Sequence, residues 1–289
     1  MSNIGLCMEA QSIMEKLRNF KEIISDLLLQ IIETLILLFF LFAPSMVNAK
    51  SYLTHWLEAE NVSLSELLTY IIAKRGNWFI GFFACLIVWR LIIGHNKKYI
   101  MNSKNIYHNY PYAIYWFCAK ILQIPSCNLI LVPIHMQFKL VIRGTFKNYP
   151  LDDNLFPQET DSTGIKSEKN KWKPQPPEVN LILEDTYPIS DDKLPLDKRS
   201  LPQIKITRHP DNDFSRLYSP VFINTINNKV REFNSGTIFN VFATTNPKNN
   251  YYIASEVFKN ADRSIVKKLL VYQQSRIGGR RFEDAYKIY

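Results

Sequence analysis

Between Leu27 and Ala49 the chain reads LLLQIIETLILLFFLFAPSMVNA, an apolar run whose only charge is Glu33. At about 1.5 Å per residue it is long enough to cross a hydrocarbon core of about 30 Å. A helix apolar on every side belongs in a membrane or at the centre of a large core. A second run follows, WFIGFFACLIVWRLIIG from Trp78 to Gly94. Arg90 lies near its end, where a long stem can reach the headgroups, and Trp78 and Trp89 suit the interface. The pair predicts a membrane hairpin with spans at 27–49 and 78–94.

Flanking charge sets an orientation. Lys16, Arg18 and Lys21 precede the first span, Lys97, Lys98 and Lys104 follow the second, and Glu58, Glu60 and Glu66 lie between them. Lys50, Lys74 and Arg75 run against this bias, yet the balance puts both termini in the cytoplasm of a multi-pass protein of the inner cell membrane. Two alternatives attach to the first run. Its Val47-Asn48-Ala49 end resembles a signal-peptidase site. Glu33 reads either as a functional intramembrane carboxylate or, being within two turns of the start, as a group at headgroup level.

With 289 residues, 47% of them hydrophobic and 21% charged, the chain has room for one membrane module and one soluble domain. A net charge of +9 favours anionic partners without choosing among phosphate-bearing ligands, nucleic acid and a membrane surface. No recognised nucleic-acid motif is present, so a polymer partner is not expected. The cysteines at 7, 85, 118 and 127 have neither metal spacing nor a disulfide framework, which suits a reducing compartment. No HExxH, GxSxG or P-loop occurs, and His55, His95, His108, His135 and His209 form no ligand pair or triad. The expectation is a protein that is no enzyme and binds no metal.

The pattern divides the chain into a cytosolic segment (1–26), the hairpin (27–98), a connector (99–149), a linker or insertion (150–177) and an α/β domain (178–289). Residues 63–73 (SLSELLTYIIA) are amphipathic at helical period and predict a helix on the membrane surface or against the hairpin. The connector has an aromatic-rich helix at 107–122, after which CNLILVPIHMQFKLVIRG fits helix or strand. A third span at 113–133 is interrupted by Lys120, Gln123 and Pro125. Prolines at 150, 157, 174, 176 and 177 mark the linker.

In the last domain, VNLIL (179–183), IKIT (204–207) and TIFNVFA (237–243) read as strands. Ser219 can cap a helix with Pro220 at its first position, and Ile223, Ile226, Val230 and Phe233 share one face before Asn234-Ser235-Gly236 stops it. Further helices are expected at 247–258 and 261–276. This order is an α/β fold with a curved or parallel sheet and flanking helices. Ligands in such folds bind beyond the carboxyl ends of strands. The Thr244-Thr245-Asn246 turn is such a place, where the hydroxyls either read a ligand or merely cap the next helix.

The order of LILEDTYPISDDKLP, a following strand pair placed as a lid, Arg216-Leu217-Tyr218-Ser219 opening a helix, and a strand ending in Ala243-Thr244 resembles the cyclic-dinucleotide-binding domain of STING. The two-helix prefix resembles the bacterial membrane-anchored members of that family, effectors of CBASS anti-phage systems. The resemblance implies a cyclic dinucleotide, c-di-GMP or cGAMP, held between two subunits of a homodimer. Arg216 would reach its phosphates, with Arg208 of the lid as a second phosphate contact. Tyr218 would support the lid, Thr244 or Thr245 would contact a guanine edge, and Trp116 or Tyr115 would stack on a base. Binding would drive higher oligomers that disrupt the lipid bilayer. The chain departs from the family in the length of 150–177 and in Asn240, which stands where many members carry an acidic guanine reader. The rival reading is a membrane-anchored structural component of a conjugation or secretion machine with no small-molecule ligand.

Overall fold

A computed structural model describes residues 21–59, 66–159, 165–169, 176–208, 215–259, 265–275 and 279–289. It contains two compact units that interleave along the chain. The first comprises residues up to Ile106 together with Trp116–Pro125, and the second comprises Tyr107–Tyr115 and Ser126–Tyr289.

The first unit is built on helices α1 (Leu28–Met46), α2 (Ala49–Ala59) and α3 (Glu66–Asn96). Two of them, at Leu28–Met46 and Lys74–Asn96, are long and apolar enough to cross a membrane. Their outward faces carry Leu35, Phe39, Phe42, Phe79, Phe83, Ile87 and Leu91, a surface suited to lipid rather than to water. α1 and α3 approach closely because Gly81 has no side chain: a Cβ there would stand 2.2 Å from the Leu41 carbonyl oxygen. Asn48, in the left-handed region with φ 49°, makes the turn from α1 into α2. Asn77 of α3 fastens that turn, donating to Asn48 Oδ1 (3.2 Å) and accepting from the Lys50 backbone N–H (2.7 Å).

At the opposite ends of the same helices Glu33 is buried, at 4% exposure. The Asn96 amide donates to its Oε2 at 3.0 Å and to the Leu122 carbonyl at 3.0 Å. The surface helix expected at 63–73 is, from residue 66, simply the start of α3; residues 63–65 lie outside the described residues.

α4 (Tyr112–Lys120) straddles the two units, and Pro111 heads its first turn. The stretch left open after it is helical from Ile134: α5 (Ile134–Ile142) follows Pro133 and stops at Gly144, whose φ of 56° is the left-handed conformation of a helix terminator.

The second unit holds a six-stranded sheet: β1 (Lys166–Lys169), β2 (Glu178–Glu184), β3 (Gln203–Thr207), β4 (Thr237–Ala243), β5 (Val266–Gln274) and β6 (Phe282–Lys287). The spatial order is β1-β3-β2-β4-β5-β6. The inner four strands are parallel, with Leu181 opposite both Ile204 and Val241, and the two edges are antiparallel. Strands covered on both faces need continuous apolar runs, which is what VNLIL and VFA supply. One face packs Phe239 against Phe233 and Phe258. The other packs Ile182, Phe242 and Tyr272 under Ile189, Leu194 and Phe282.

α6 (Pro220–Arg231) starts as expected, with Ser219 Oγ accepting the Phe222 N–H at 3.2 Å. α7 (Pro247–Tyr252) is capped by Asn246 and continues as a π-helical stretch, Ile253–Lys259. The structure corrects the expected helix at 261–276: Val266–Gln274 is strand β5, paired with β4 on one side and β6 on the other. The stretch 150–177 is likewise more than a tether. Phe156 is buried, the Glu159 N–H donates to the Tyr218 carbonyl at 2.8 Å, and Lys166–Lys169 forms the edge strand β1.

Candidate functional site

β2 hands the chain to β3 on one side, whereas β4 hands it to β5 on the other. Neighbouring strands whose connections leave in opposite directions open a crevice beyond their carboxyl ends, the usual ligand position in such sheets. Asp185, Arg208 and Thr244-Thr245-Asn246 occupy this end, each directly following β2, β3 or β4.

These residues bind one another. Asp185 and Arg208 form an ion pair through Oδ1 and Nε, with neither side chain exposed. Arg208 also pairs with Glu159 (Nη1 to Oε1, 3.2 Å) and donates to the Ser215 carbonyl. Asp185 Oδ2 accepts from the Asn246 N–H (3.0 Å), Asn246 Nδ2 (3.0 Å) and Asn249 Nδ2 (2.9 Å). Burial pushes the Asp185 carboxyl up from its ordinary value, and Arg208 and these donors pull it back. The Thr244 hydroxyl donates to the Tyr187 carbonyl at 2.8 Å, and the Thr245 hydroxyl donates to Asn250 Oδ1. The crevice floor is thus a closed polar network that fixes three strand ends and the start of α7.

Beside this floor runs a row of half-buried tyrosines and cations. Tyr218 and Tyr252 pack at a tilt with 4.6 Å between centroids, Tyr252 meets Tyr251 edge-on at 5.1 Å, and Tyr251 meets Tyr149 at 5.8 Å. Burial raises the Tyr149 phenol, with Tyr112 and Tyr251 among the neighbours that add to the shift. Tyr112 closes the row, under Lys139 (5.1 Å) and Arg143 (4.9 Å), its hydroxyl 3.2 Å from Thr145 Oγ1. At the other end Lys248, buried and held by Asp153 and the Phe156 carbonyl, stands 4.9 Å over Tyr218, whose phenol burial pushes up to about 12. Flat π-faces interspersed with cations are what stacked bases and phosphates require.

The residues singled out in sequence fall in different places. Tyr218 is in the row, and Arg216 is exposed two residues before it. Thr244, Thr245 and Arg208 belong to the buried floor, with their polar atoms engaged by protein. Asn240 is fully buried further back in β4, donating to Glu178 Oε1 at 2.7 Å and to Asn180 at 3.3 Å. Tyr115 is also fully buried, its hydroxyl donating to the His108 carbonyl at 3.1 Å, while Trp116 is 46% exposed. One turn earlier, Tyr112 is the aromatic of α4 that joins the row. Tyr149, Tyr251, Tyr252, Lys139, Arg143 and Lys248 carried no motif, and only the Tyr251-Tyr252 doublet near a strand-to-helix turn pointed their way.

Comparison with known proteins gives a family. The model of the SMODS- and ubiquitin system-associated 2TM effector domain matches residues 9–289, so the chain belongs to that family. No curated protein matches. Two solved structures of an Acinetobacter baumannii Cap4 SAVED/CARF-domain containing receptor are similar. The complex with the cyclic trinucleotide 3'3'3'-cAAA has a TM-score of 0.44 at 8% identity, covering 82% of this chain and 65% of the receptor. The complex with 2'3'3'-cAAA has a TM-score of 0.40 at 7% identity, covering 61% of this chain and 41% of the receptor. The chain therefore spans less than two thirds of the receptor it matches.

Proposed function

We propose that this 2TM effector senses a cyclic oligonucleotide through its α/β unit and answers at the membrane through its hairpin. One observation carries the ligand class: the row of tyrosines and cations from Tyr112 to Lys248 lies beside the crevice at the carboxyl ends of the parallel strands. Bases stack on the Tyr252, Tyr251 and Tyr149 faces, while Arg143, Lys139 and the exposed Arg216 reach the phosphates. The buried network of Asp185, Arg208 and Asn246 contributes by holding the strand ends rigid. Family membership supports the rest, because a two-span effector needs a signal and a bilayer to act upon.

In its finer form the proposal keeps the clasp suggested by the resemblance to STING. Two copies enclose c-di-GMP or cGAMP, the dimers assemble further, and clustered hairpins breach the inner membrane, with both termini cytoplasmic and no catalytic step. A ligand drives such a change only by its greater affinity for the assembled state.

Calorimetry of the full chain in detergent tests the reading, with c-di-GMP, cGAMP and a cyclic triadenylate as ligands. One of them binds, and Tyr252→Ala or Arg143→Ala weakens it about tenfold, roughly 1.4 kcal/mol. Heat from none of the three, or identical affinities in both variants, overturns it.

A further inference from the structure

α4 holds a particular position in the chain. Its first residue, Tyr112, lies beneath Lys139 and Arg143 in the tyrosine row. Just beyond its last turn, the Ile121 and Leu122 carbonyls point where no helical N–H can reach them. Both are taken by the hairpin: Trp89 Nε1 donates to Ile121 at 2.6 Å, and Asn96 Nδ2 donates to Leu122 at 3.0 Å. The same Asn96 nitrogen donates to Glu33 of α1, so one amide joins α1, α3 and the exit of α4.

The junction is only half satisfied. Among the described residues, Glu33 Oε1 and Asn96 Oδ1 are buried without a hydrogen-bond partner. An orphaned buried polar atom costs free energy that hydration would restore, so the closed junction is held by three hydrogen bonds and opposed by its own unpaired atoms. A switch requires an element with two arrangements close in free energy, and unpaired polar atoms lower the cost of opening this one.

We propose that Asn96 is a latch: with Glu33, Trp89 and the Ile121–Leu122 carbonyls it holds the hairpin closed, and α4 carries occupation of the tyrosine row to it. This rests on the ligand reading above, for which it names the regulation. A ligand that shifts Tyr112 moves a single nine-residue helix as a rod, and the carbonyls at its far end leave their donors. The membrane helices then separate at the Glu33 end while the Asn48–Asn77 fastening at the other end persists.

The full chain in phosphatidylethanolamine–phosphatidylglycerol vesicles, assayed for release of a trapped dye, tests this directly. Asn96→Leu removes both amide donors, and without any ligand it releases dye about tenfold faster than wild type, as losing roughly 1.4 kcal/mol of closure requires. Trp89→Phe loses one donor, keeps the ring and gives an intermediate rate; it decides the matter if the Asn96 variant fails to insert. By linkage, Asn96→Leu binds c-di-GMP or cGAMP more tightly than wild type does. Ligand-free release at the wild-type rate from both variants overturns the latch. If wild type binds no cyclic oligonucleotide, the ligand reading fails instead, and the ligand-free release rates still judge the latch.

Discussion

Removing both partners of the Asp185–Arg208 pair should destabilise the α/β unit by less than the sum of removing each alone. Neither side chain has any exposure, Arg208 touches Glu159 and the Ser215 carbonyl besides Asp185, and Asp185 accepts three N–H groups from Asn246 and Asn249. Arg208→Met strands the Asp185 and Glu159 carboxylates together in a dry site. Asp185→Asn takes the Asp185 carboxylate away from the buried guanidinium. Breaking a buried pair from one side costs about 3–5 kcal/mol, because the surviving charge remains buried. For a unit of this size that lowers the melting temperature by about 6–20 °C. The double variant Asp185→Asn/Arg208→Met removes both charges of the pair, leaves the Glu159 carboxylate in place, and should recover about 1.5 kcal/mol or more of the summed cost. Thermal melting of the full chain in detergent, followed by near-ultraviolet circular dichroism, reads all three. Single variants that each melt within about 2 °C of wild type, or a double variant whose loss is the plain sum, would refute the view that this pair fixes the strand ends.

Two further outcomes are expected. His135 stacks on Tyr286 at 3.5 Å, and burial lowers its pKa from 6.5 to about 4, with Lys139 adding to the shift and Gln273 and Asp284 opposing it. The folded chain therefore refuses a proton that the unfolded chain takes, so stability present above pH 6.5 drains away as pH falls towards 4, by about 2 kcal/mol at pH 5. Denaturant titrations across that window should show the slope, His135→Gln should flatten it, and an unchanged slope in the variant would assign it elsewhere. In the membrane unit, Gly81→Val places carbon against the Leu41 carbonyl oxygen, where even a Cβ would lie at 2.2 Å. Overpacking of this kind costs about 1–3 kcal/mol. Heating the variant in detergent should expose it to protease at a lower temperature than wild type, and an equal temperature would mean that α1 and α3 do not cross at this point.

Local chemistry made much of the fold legible. Ser219-Pro220 announced α6, VNLIL and TIFNVFA announced β2 and β4, and the apolar runs announced α1 and α3, because in each the deciding interactions lie within a few residues. β5 misled because Ile265, Val266, Leu269 and Leu270 fit a helical face, whereas its actual neighbours are two strands whose pairing no local pattern reveals. Arg208 shows the same limit. The resemblance read it as a phosphate contact, and only the parallel register of Thr207 with Glu184 sets it beside Asp185. On α4 the sequence offered four aromatics, and helical phase alone does not say which faces the core. Packing buries Tyr115 against Tyr110 and Phe146 and leaves Tyr112 to the row.

Because residues 116–125 fold with the hairpin although residues on both sides of them fold with the sheet, the two halves of this chain cannot be parted by a single cut. A fragment begun at residue 107, the natural choice for a water-soluble sample, takes with it Cys118, Leu122 and Ile124, all buried in the whole molecule, and deprives them of the helices they lie against. Such a fragment would be sticky for reasons unrelated to its sheet. A sample that behaves like the intact protein has to keep its lipid-facing portion, and is best purified in detergent.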